Sequence, residues 1–369
     1  MKVVIVHDWL VGGGAEQVVL ELHRLFPHAP IYTSRCTDEW RKKLDNKVVT
    51  GYLQLWPFSV LYKFLPLLRM RWFKSLDLSN YDLVISSSGN GEAKFVRARD
   101  SATHICYCHS PPHFYWRKYK EYLKHPSFRP KWLARLGLRL LANPLRKRDY
   151  KAAQEVDYFI ANSTRIQQDI KKFYGRDSVV IHPPVDTGKF GAKAAKNEKH
   201  TPRSGFIVWG RHIPYKRFDI AVLACTQLGL PLTVAGHGPE TQKLQKIAGP
   251  TIHFVGKVSD EKLVQLANSS EAFIFPTEED FGISPVEAMA ASVPVIAYKA
   301  GGALDYVVPG KTGMFFDKQS VGSLVKALQK FSDQTYNSSI IKERAQKFNV
   351  QQFRSKILDF IRSHKRNSS

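Results

Sequence analysis

Two carboxylates, Glu279 and Glu287, bracket the run Glu279-Asp280-Phe281-Gly282-Ile283-Ser284-Pro285-Val286-Glu287. An apolar run, Ala272 to Phe275, leads into this segment, and a helix-forming stretch, Glu287 to Ala291, leads out of it. In a parallel α/β sheet such a strand-to-helix loop is where ligands bind. As a pair the acids suit general acid–base chemistry or the holding of a polyhydroxyl ligand. Ser284, Pro285 and Glu287 also fit N-cap, N1 and N3 of a helix, a capping box that gives Glu287 a structural task. Glu279 has no such task. It stands at a strand end ahead of Phe281-Gly282, where a carboxylate accepts hydrogen bonds from hydroxyls.

Other residues speak for an anionic ligand. Arg211 and Lys216 follow the apolar run Phe206–Trp209 in Gly210-Arg211-His212-Ile213-Pro214-Tyr215-Lys216. Arginine offers a planar fork and lysine a point charge, a combination suited to a diphosphate. Surface cations at a helix start are the plain alternative, but the helix dipole disfavours them there. Gly12-Gly13-Gly14 follows the first apolar run and opens a helical pattern. Glycines there let backbone N–H groups approach a phosphate, or simply make a tight strand-to-helix turn. The spacing is not G-x-G-x-x-G, so no nicotinamide cofactor is indicated. His109 ends the run Ile105-Cys106-Tyr107-Cys108, and His7-Asp8 holds the matching place after Val3–Val6. A lone histidine is usually structural; a strand's carboxyl end raises its prospects as a ligand contact. The chain has no Asp-x-Asp, no His/Cys set with metal-ligand spacing and no P-loop.

The elements that must position these residues alternate regularly. Val3–Val6, Asp82–Ser86, His104–Tyr107, Tyr158–Ala161 and Val179–His182 read as strands, with helices over Ala15–Phe26 and Thr164–Tyr174. The rhythm breaks at Gly191–Ser204, which is polar and basic, and reads as a linker. It resumes with strands at Phe206–Trp209, Leu232–Ala235, Ile252–Val255, Ala272–Phe275 and Val295–Tyr298. The expectation is two doubly wound α/β domains, 1–190 and 205–345, joined by 191–204. In 346–369, Phe348, Phe353, Ile357, Phe360 and Ile361 repeat at helical spacing, so a terminal helix is expected to pack back on the first domain.

At 369 residues the chain is long enough for two cores, and its formal net charge of +23 favours anionic partners. Its four cysteines form no C-x-x-C pair, which fits a reducing, cytosolic setting. The first residues enter an apolar strand without a signal-peptide pattern, and no apolar stretch has the length of a membrane span. Tyr52–Phe73 mixes aromatic, leucine and basic residues around Pro57 and Pro66. That composition suits an interfacial anchor on an anionic membrane, or a buried helix pair covering the sheet. The cations are spread along the chain and no nucleic-acid module is present, so a nucleic-acid partner is not expected.

Taken in order, Gly13-Gly14-Ala15-Glu16, Cys108-His109-Ser110-Pro111, Gly210-Arg211 with Lys216, Gly236-His237-Gly238-Pro239, Glu279 to Glu287, and Gly301-Gly302 with Asp305 resemble the retaining, nucleotide-sugar-dependent glycosyltransferase-4 family of GT-B fold. The resemblance covers nearly the whole chain. The phrases HDWLVGGGAEQV, HAPIYTS and PYKRFD resemble the mannosyltransferase group that builds O-antigen and related surface polysaccharides. Arg217 stands where many members have glycine, adding a cation beside the clamp.

This resemblance implies two Rossmann-like domains facing across a cleft, with the donor on the second domain and a lipid-linked or polysaccharide-precursor acceptor on the first. It implies GDP-mannose as donor, with UDP-glucose or a UDP-N-acetylhexosamine as the alternative. It assigns catalysis to His109, Glu279, Arg211 and Lys216, and donor binding to Gly13, Gly14, Val258, Ile283, Ser284 and Glu287. Glu279 would hold sugar hydroxyls, Glu287 the ribose, and the cations and helix-start N–H groups the diphosphate. Neither metal nor other cofactor is expected. The implied place is the cytoplasmic face of the plasma membrane, as a peripheral protein. The rival of another class is a basic nucleic-acid- or membrane-binding protein without catalysis.

Overall fold

The computed structural model describes residues 1–62, 65–126, 130–191 and 203–364. The chain forms two compact units, Met1–Pro183 with Phe353–Ser369, and Pro184–Gln352.

The first unit holds strands β1 (Val3–His7), β2 (Ile31–Thr33), β3 (Val48–Val49), β4 (Leu83–Ser88), β5 (Thr103–Cys108), β6 (Tyr158–Ala161) and β7 (Ser178–Val180). They form one parallel sheet in the order β3-β2-β1-β4-β5-β6-β7. The order reverses between β1 and β4, whose carboxyl ends bring His7 level with Ser87. The second unit holds β8 (Phe206–Trp209), β9 (Leu232–Ala235), β10 (Ile252–Gly256), β11 (Ala272–Phe275), β12 (Val295–Tyr298) and β13 (Gly313–Phe316). Its parallel order is β10-β9-β8-β11-β12-β13, with the switch between β8 and β11. In each sheet, therefore, a crevice opens at the carboxyl ends of two strands that are neighbours in space and distant in sequence.

The central strands are continuous apolar runs because helices cover both faces. In the second unit the residues of β8 alternate between two cores. Ile207 and Trp209 pack with Phe273, Met289 and Val295, while Phe206 and Val208 pack with Val222, Leu232 and Leu328.

The unit boundaries differ from those expected at 190 and 345. Val185 and Phe190 are buried beside Ile207 and Trp209 in the second unit's core, so the helix Thr187–Gly191 belongs there. Ile341, Ala345 and Phe348 belong to the same core. The linker expected at 191–204 falls largely outside the described residues. The helix Val350–His364 buries Phe353, Ile357, Phe360 and Ile361 among Ile5, Leu22 and Ile160 of the first unit. Arg354 pairs with Glu21 on that unit's first helix, its Nε donating at 2.6 Å. At about 1.5–3 kcal/mol per large apolar side chain, these four contribute on the order of 6–12 kcal/mol.

Candidate active site

At the switch point of the second sheet, β8 ends at Trp209 and runs through Gly210-Arg211 into a short turn, Pro214–Lys216. β11 ends at Phe275 and runs through Pro276–Asp280 into the helix Ile283–Ala290. The two loops are tied together. Thr277 Oγ1 donates to Tyr215 O at 2.8 Å, and the Lys216 ammonium donates to the Glu279 carboxylate. Both side chains of this ion pair keep some exposure, so a ligand can reach them. The Arg211 guanidinium is exposed and has no partner among the described residues. Arg217, the added cation, is engaged elsewhere. Its Nε and Nη2 each donate to Asp219 at 3.0 Å. Its φ of 53° is the left-handed conformation that glycine adopts without cost.

The capping box expected at Ser284 does not form. The helix starts two residues earlier, with Gly282 at φ 87° as N-cap and no side-chain cap. A Cβ on Gly282 would lie 2.7 Å from Phe275 Cζ, so the turn needs glycine. Ser284 is therefore already inside the helix. The N–H groups of Ile283 and Ser284 lie in the first turn, where no helical carbonyl reaches them, and they have no partner among the described residues. Such a terminus attracts an anion. Glu287 is released from capping. Its carboxylate accepts from the Trp209 indole N–H at 3.4 Å, and burial pushes its pKa up. Gly301 and Gly302 close the arrangement from behind. A Cβ on Gly301 would sit 2.1 Å from Glu279 O, and one on Gly302 2.3 Å from Phe281 Cα.

A cavity of about 690 Å³ adjoins the carboxyl ends of β9 and β10, lined by Gly236, His237, Pro239, Gln242, Phe254 and Gly256 among others. The turn Gly236–Pro239 lies on the β8 loop, since Cβ atoms on Gly236 and Gly238 would meet Gly210 O and His212 O. His212 Nδ1 is 2.9 Å from Thr241 Oγ1. The Thr241 hydroxyl donates to Gly238 O, so His212 donates to Thr241. Burial holds the His212 pKa below its ordinary value, and the imidazole is a neutral brace. Val258 packs against the core just past β10.

The first unit has its own polar cluster at its switch point. His7 Nδ1 donates to Ser87 O at 2.8 Å, and Ser87 Oγ lies 2.8 Å from His109 Nε2. Asp8 takes three backbone N–H groups of the loop beyond β4, from Gly89, Asn90 and Ala93, at 2.6 to 2.7 Å. Buried ion pairs Arg69–Glu92 and Lys94–Asp149 brace the same loop. Ser87 and the loop-holding role of Asp8 were not anticipated. The signal was present as Ser86-Ser87-Ser88, a polar run in a buried strand end. The glycine turn is less open to phosphate than its sequence implies. The buried Glu16 carboxylate accepts from Gly12 N at 2.9 Å and lies close to Gly13. A second anion there would meet a negative charge. Gly13 and Gly14 keep backbone N–H groups without partners among the described residues.

Tyr52–Phe73 splits between its two readings. The helix Pro66–Lys74 buries Arg69, Met70, Trp72 and Phe73, whereas Leu55, Trp56, Val60, Leu61 and Leu67 are exposed. Lys63 and Phe64 lie outside the described residues. Among the described residues no helix is long and apolar enough to cross a membrane.

Residues 12–189 match the family model Glycosyltransferase Family 4, and residues 189–348 match Glycosyl transferases group 1. The chain is similar to a GDP-mannose-dependent alpha-mannosyltransferase of Mycolicibacterium smegmatis, 40% identical over 118 residues, 31% of this chain and 30% of the relative. It is also similar to a GDP-mannose-dependent alpha-(1-6)-phosphatidylinositol monomannoside mannosyltransferase of Mycobacterium tuberculosis, 31% identical over 172 residues. That match covers 40% of this chain and 45% of the relative, so less than half of either relative is spanned. The crystal structure of Anabaena HepE in complex with UDP superposes with a TM-score of 0.72 at 18% identity, over 98% of this chain and all of that one. The fold is thus two Rossmann-like α/β domains of GT-B type.

Proposed function

We propose that this chain, built of the two domains of a family 4 glycosyltransferase with GT-B fold, moves a hexose from a nucleotide sugar to an acceptor hydroxyl. The observation that carries the reading is the second unit's switch point. There Lys216, Glu279 and the N–H groups of Ile283 and Ser284 belong to two adjoining loops, and Arg211 stands on the same β8 loop; neither those N–H groups nor the Arg211 guanidinium has a partner among the described residues.

In this reading the diphosphate lies on Arg211, Lys216 and the helix start. These groups stabilise negative charge that grows as the anomeric C–O bond breaks. Glu279 holds hydroxyls of the sugar and Glu287 those of the ribose, while the cavity by Gly236–Pro239 takes the base. His109 is the first unit's contact to the sugar, with Ser87 fixing its ring. Gly13 and Gly14 add their N–H groups, and Val258 lines the donor's site. No metal is assigned, since the cations do that work.

We further assign the donor as GDP-mannose, supported by the opening phrases and by the names of the two mannosyltransferase relatives. Transfer is assigned as retaining. The acceptor hydroxyl attacks on the face the diphosphate leaves, the new C–O bond forms, and the acceptor's proton passes to the leaving phosphate oxygen. The acceptor is assigned as a lipid-linked precursor of a surface glycan. The chain is assigned to the cytoplasmic face of the plasma membrane, held peripherally by anionic lipid. UDP-glucose is the second reading for the donor, favoured by the UDP complex of the structurally similar HepE.

Thermal unfolding with GDP-mannose, UDP-glucose and UDP-N-acetylglucosamine, each at saturating concentration, tests the donor. Binding at a hundredfold over Kd adds about 2.7 kcal/mol. Protection by GDP-mannose alone is the expected result. Protection by a UDP-sugar alone moves the donor assignment, and protection by none removes the catalytic reading.

A further inference from the structure

We propose that the first unit carries a second anion site, a pocket that takes the phosphate of an anionic phospholipid headgroup. The pocket lies between the helices Pro66–Lys74 and Lys131–Gln154 and has a volume of about 320 Å³. That is room for about ten waters at liquid density, enough for a phosphate and its ester groups. Four cations line it: Arg71 and Lys74 from the first helix, Arg148 and Lys151 from the second. None of the four has an ion pair or side-chain hydrogen bond among the described residues. Glu155 is the one acid in the lining, and its carboxylate too has no partner among the described residues. Four like charges around one concavity favour an anion placed between them. The apolar part of the lining, including Leu67 and Phe95, suits the glycerol and upper acyl region rather than a hydrated free ion.

The surroundings select a membrane as the source of the phosphate. Trp56 is 82% exposed and Val60 66%, just before the first helix. On the second helix Trp132, Leu136 and Leu140 recur every four residues and are 64%, 45% and 65% exposed. The helix that exposes these apolar side chains also carries Arg148 and Lys151 of the pocket. Exposed tryptophan and leucine followed by unpaired cations is the composition of an interfacial contact with anionic lipid. The inference rests on the membrane-surface reading given above and adds the place and chemistry of the contact. It is independent of the donor.

The test uses the full chain and vesicles of phosphatidylcholine, with and without phosphatidic acid, in a co-sedimentation assay. Each cation near an anionic surface is worth about fivefold in partitioning. The quadruple variant Arg71→Ala, Lys74→Ala, Arg148→Ala, Lys151→Ala is therefore expected to bind phosphatidic acid vesicles at least about a hundredfold more weakly. A control variant with equal loss of charge, Lys246→Ala, Lys311→Ala, Lys326→Ala, Lys330→Ala, is expected to bind like the parent. Equal losses in the two variants would reduce the pocket to general surface charge and overturn the proposal. Binding to phosphatidylcholine vesicles alone, or to none, would also overturn it. A thermal shift with soluble glycerol 3-phosphate, unaccompanied by vesicle binding, would mark a free-phosphate site and reject the lipid. Donor protection, measured on the parent and the quadruple variant alike, reads the second unit separately: its absence in the parent sinks the catalytic reading and leaves the pocket standing.

Discussion

Lys216 and Glu279 form an ion pair across the carboxyl ends of β8 and β11, joining residues 63 positions apart in sequence. The pair sets the loops after β8 and β11 of the second unit against each other. It also leaves each charge partly exposed, and in the proposed function each exchanges its partner for a phosphate or a hydroxyl. Glu279→Ala is expected to abolish sugar transfer while the protein stays folded. Circular dichroism and a transfer assay check it together, and near-parental turnover would remove Glu279 from the site. Lys216→Ala is expected to lower kcat by about 10²–10³, the scale of one lost transition-state charge contact.

Glu287 gives a prediction about pH. Its folded-state pKa is raised above the ordinary carboxylate value of 4.5, chiefly by burial. A raised carboxyl favours the folded state fully below 4.5 and loses that contribution as pH rises through the raised value. Glu287→Gln, which cannot ionise and keeps an acceptor for Trp209, is expected to have a higher Tm than the parent at pH 8. The difference should vanish below pH 4.5. Scanning calorimetry at the two pH values checks it, and a lower Tm at pH 8 would show that the ionised group is stabilised instead.

In the first unit, Ser87 links His7 and His109. Ser87→Ala removes the hydroxyl beside His109 Nε2 and leaves the strand intact. We expect kcat to fall about tenfold with little change in Tm, and His109→Ala to fall further, by about 10²–10⁴ if the ring serves as acid or base. A Ser87→Ala variant with unchanged kcat would make the link purely structural.

The strands of the second sheet were legible because they are short, wholly apolar runs between turn residues. Phe206–Trp209, Leu232–Ala235, Ala272–Phe275 and Val295–Tyr298 have the bounds their composition implies. β13 was not legible: it begins with Gly313, at φ 154°, a residue that argues against a strand. β2 and β3 are three and two residues long, too short for any periodicity. The site was half legible. Arg211, Lys216, Glu279 and Glu287 were found from residue type and place at strand ends. The capping box misled because Ser-Pro-x-Glu satisfies the pattern wherever it falls in the first turn. The deciding residue was Gly282, whose positive φ starts the helix two positions sooner. The partners of Glu16 and Arg217, Gly12 N and Asp219, are close in sequence, but residue type and spacing alone did not single them out.

The terminal helix carries a stability prediction. Phe353, Ile357, Phe360 and Ile361 supply part of the first unit's core. Removal of residues 350–369 costs on the order of 6–12 kcal/mol, comparable with the whole stability of a domain. Such a truncation is expected to expose apolar surface in the first unit while the second still melts cooperatively. Dye binding and calorimetry check this, and two intact transitions would show the helix to be dispensable.

That helix also inverts the usual order of events during synthesis. Chains leave the ribosome amino end first, and domains commonly fold in that order. Here Pro184–Gln352 lies in sequence between the two pieces of the other unit. The unit made first therefore waits, its core open beside the strands, until Phe353–Ile361 has emerged. The unit made second has everything it needs sooner. A nascent chain paused near residue 352 would carry a finished second unit and an unfinished first one. This makes the amino-terminal half the one that depends on protection from aggregation.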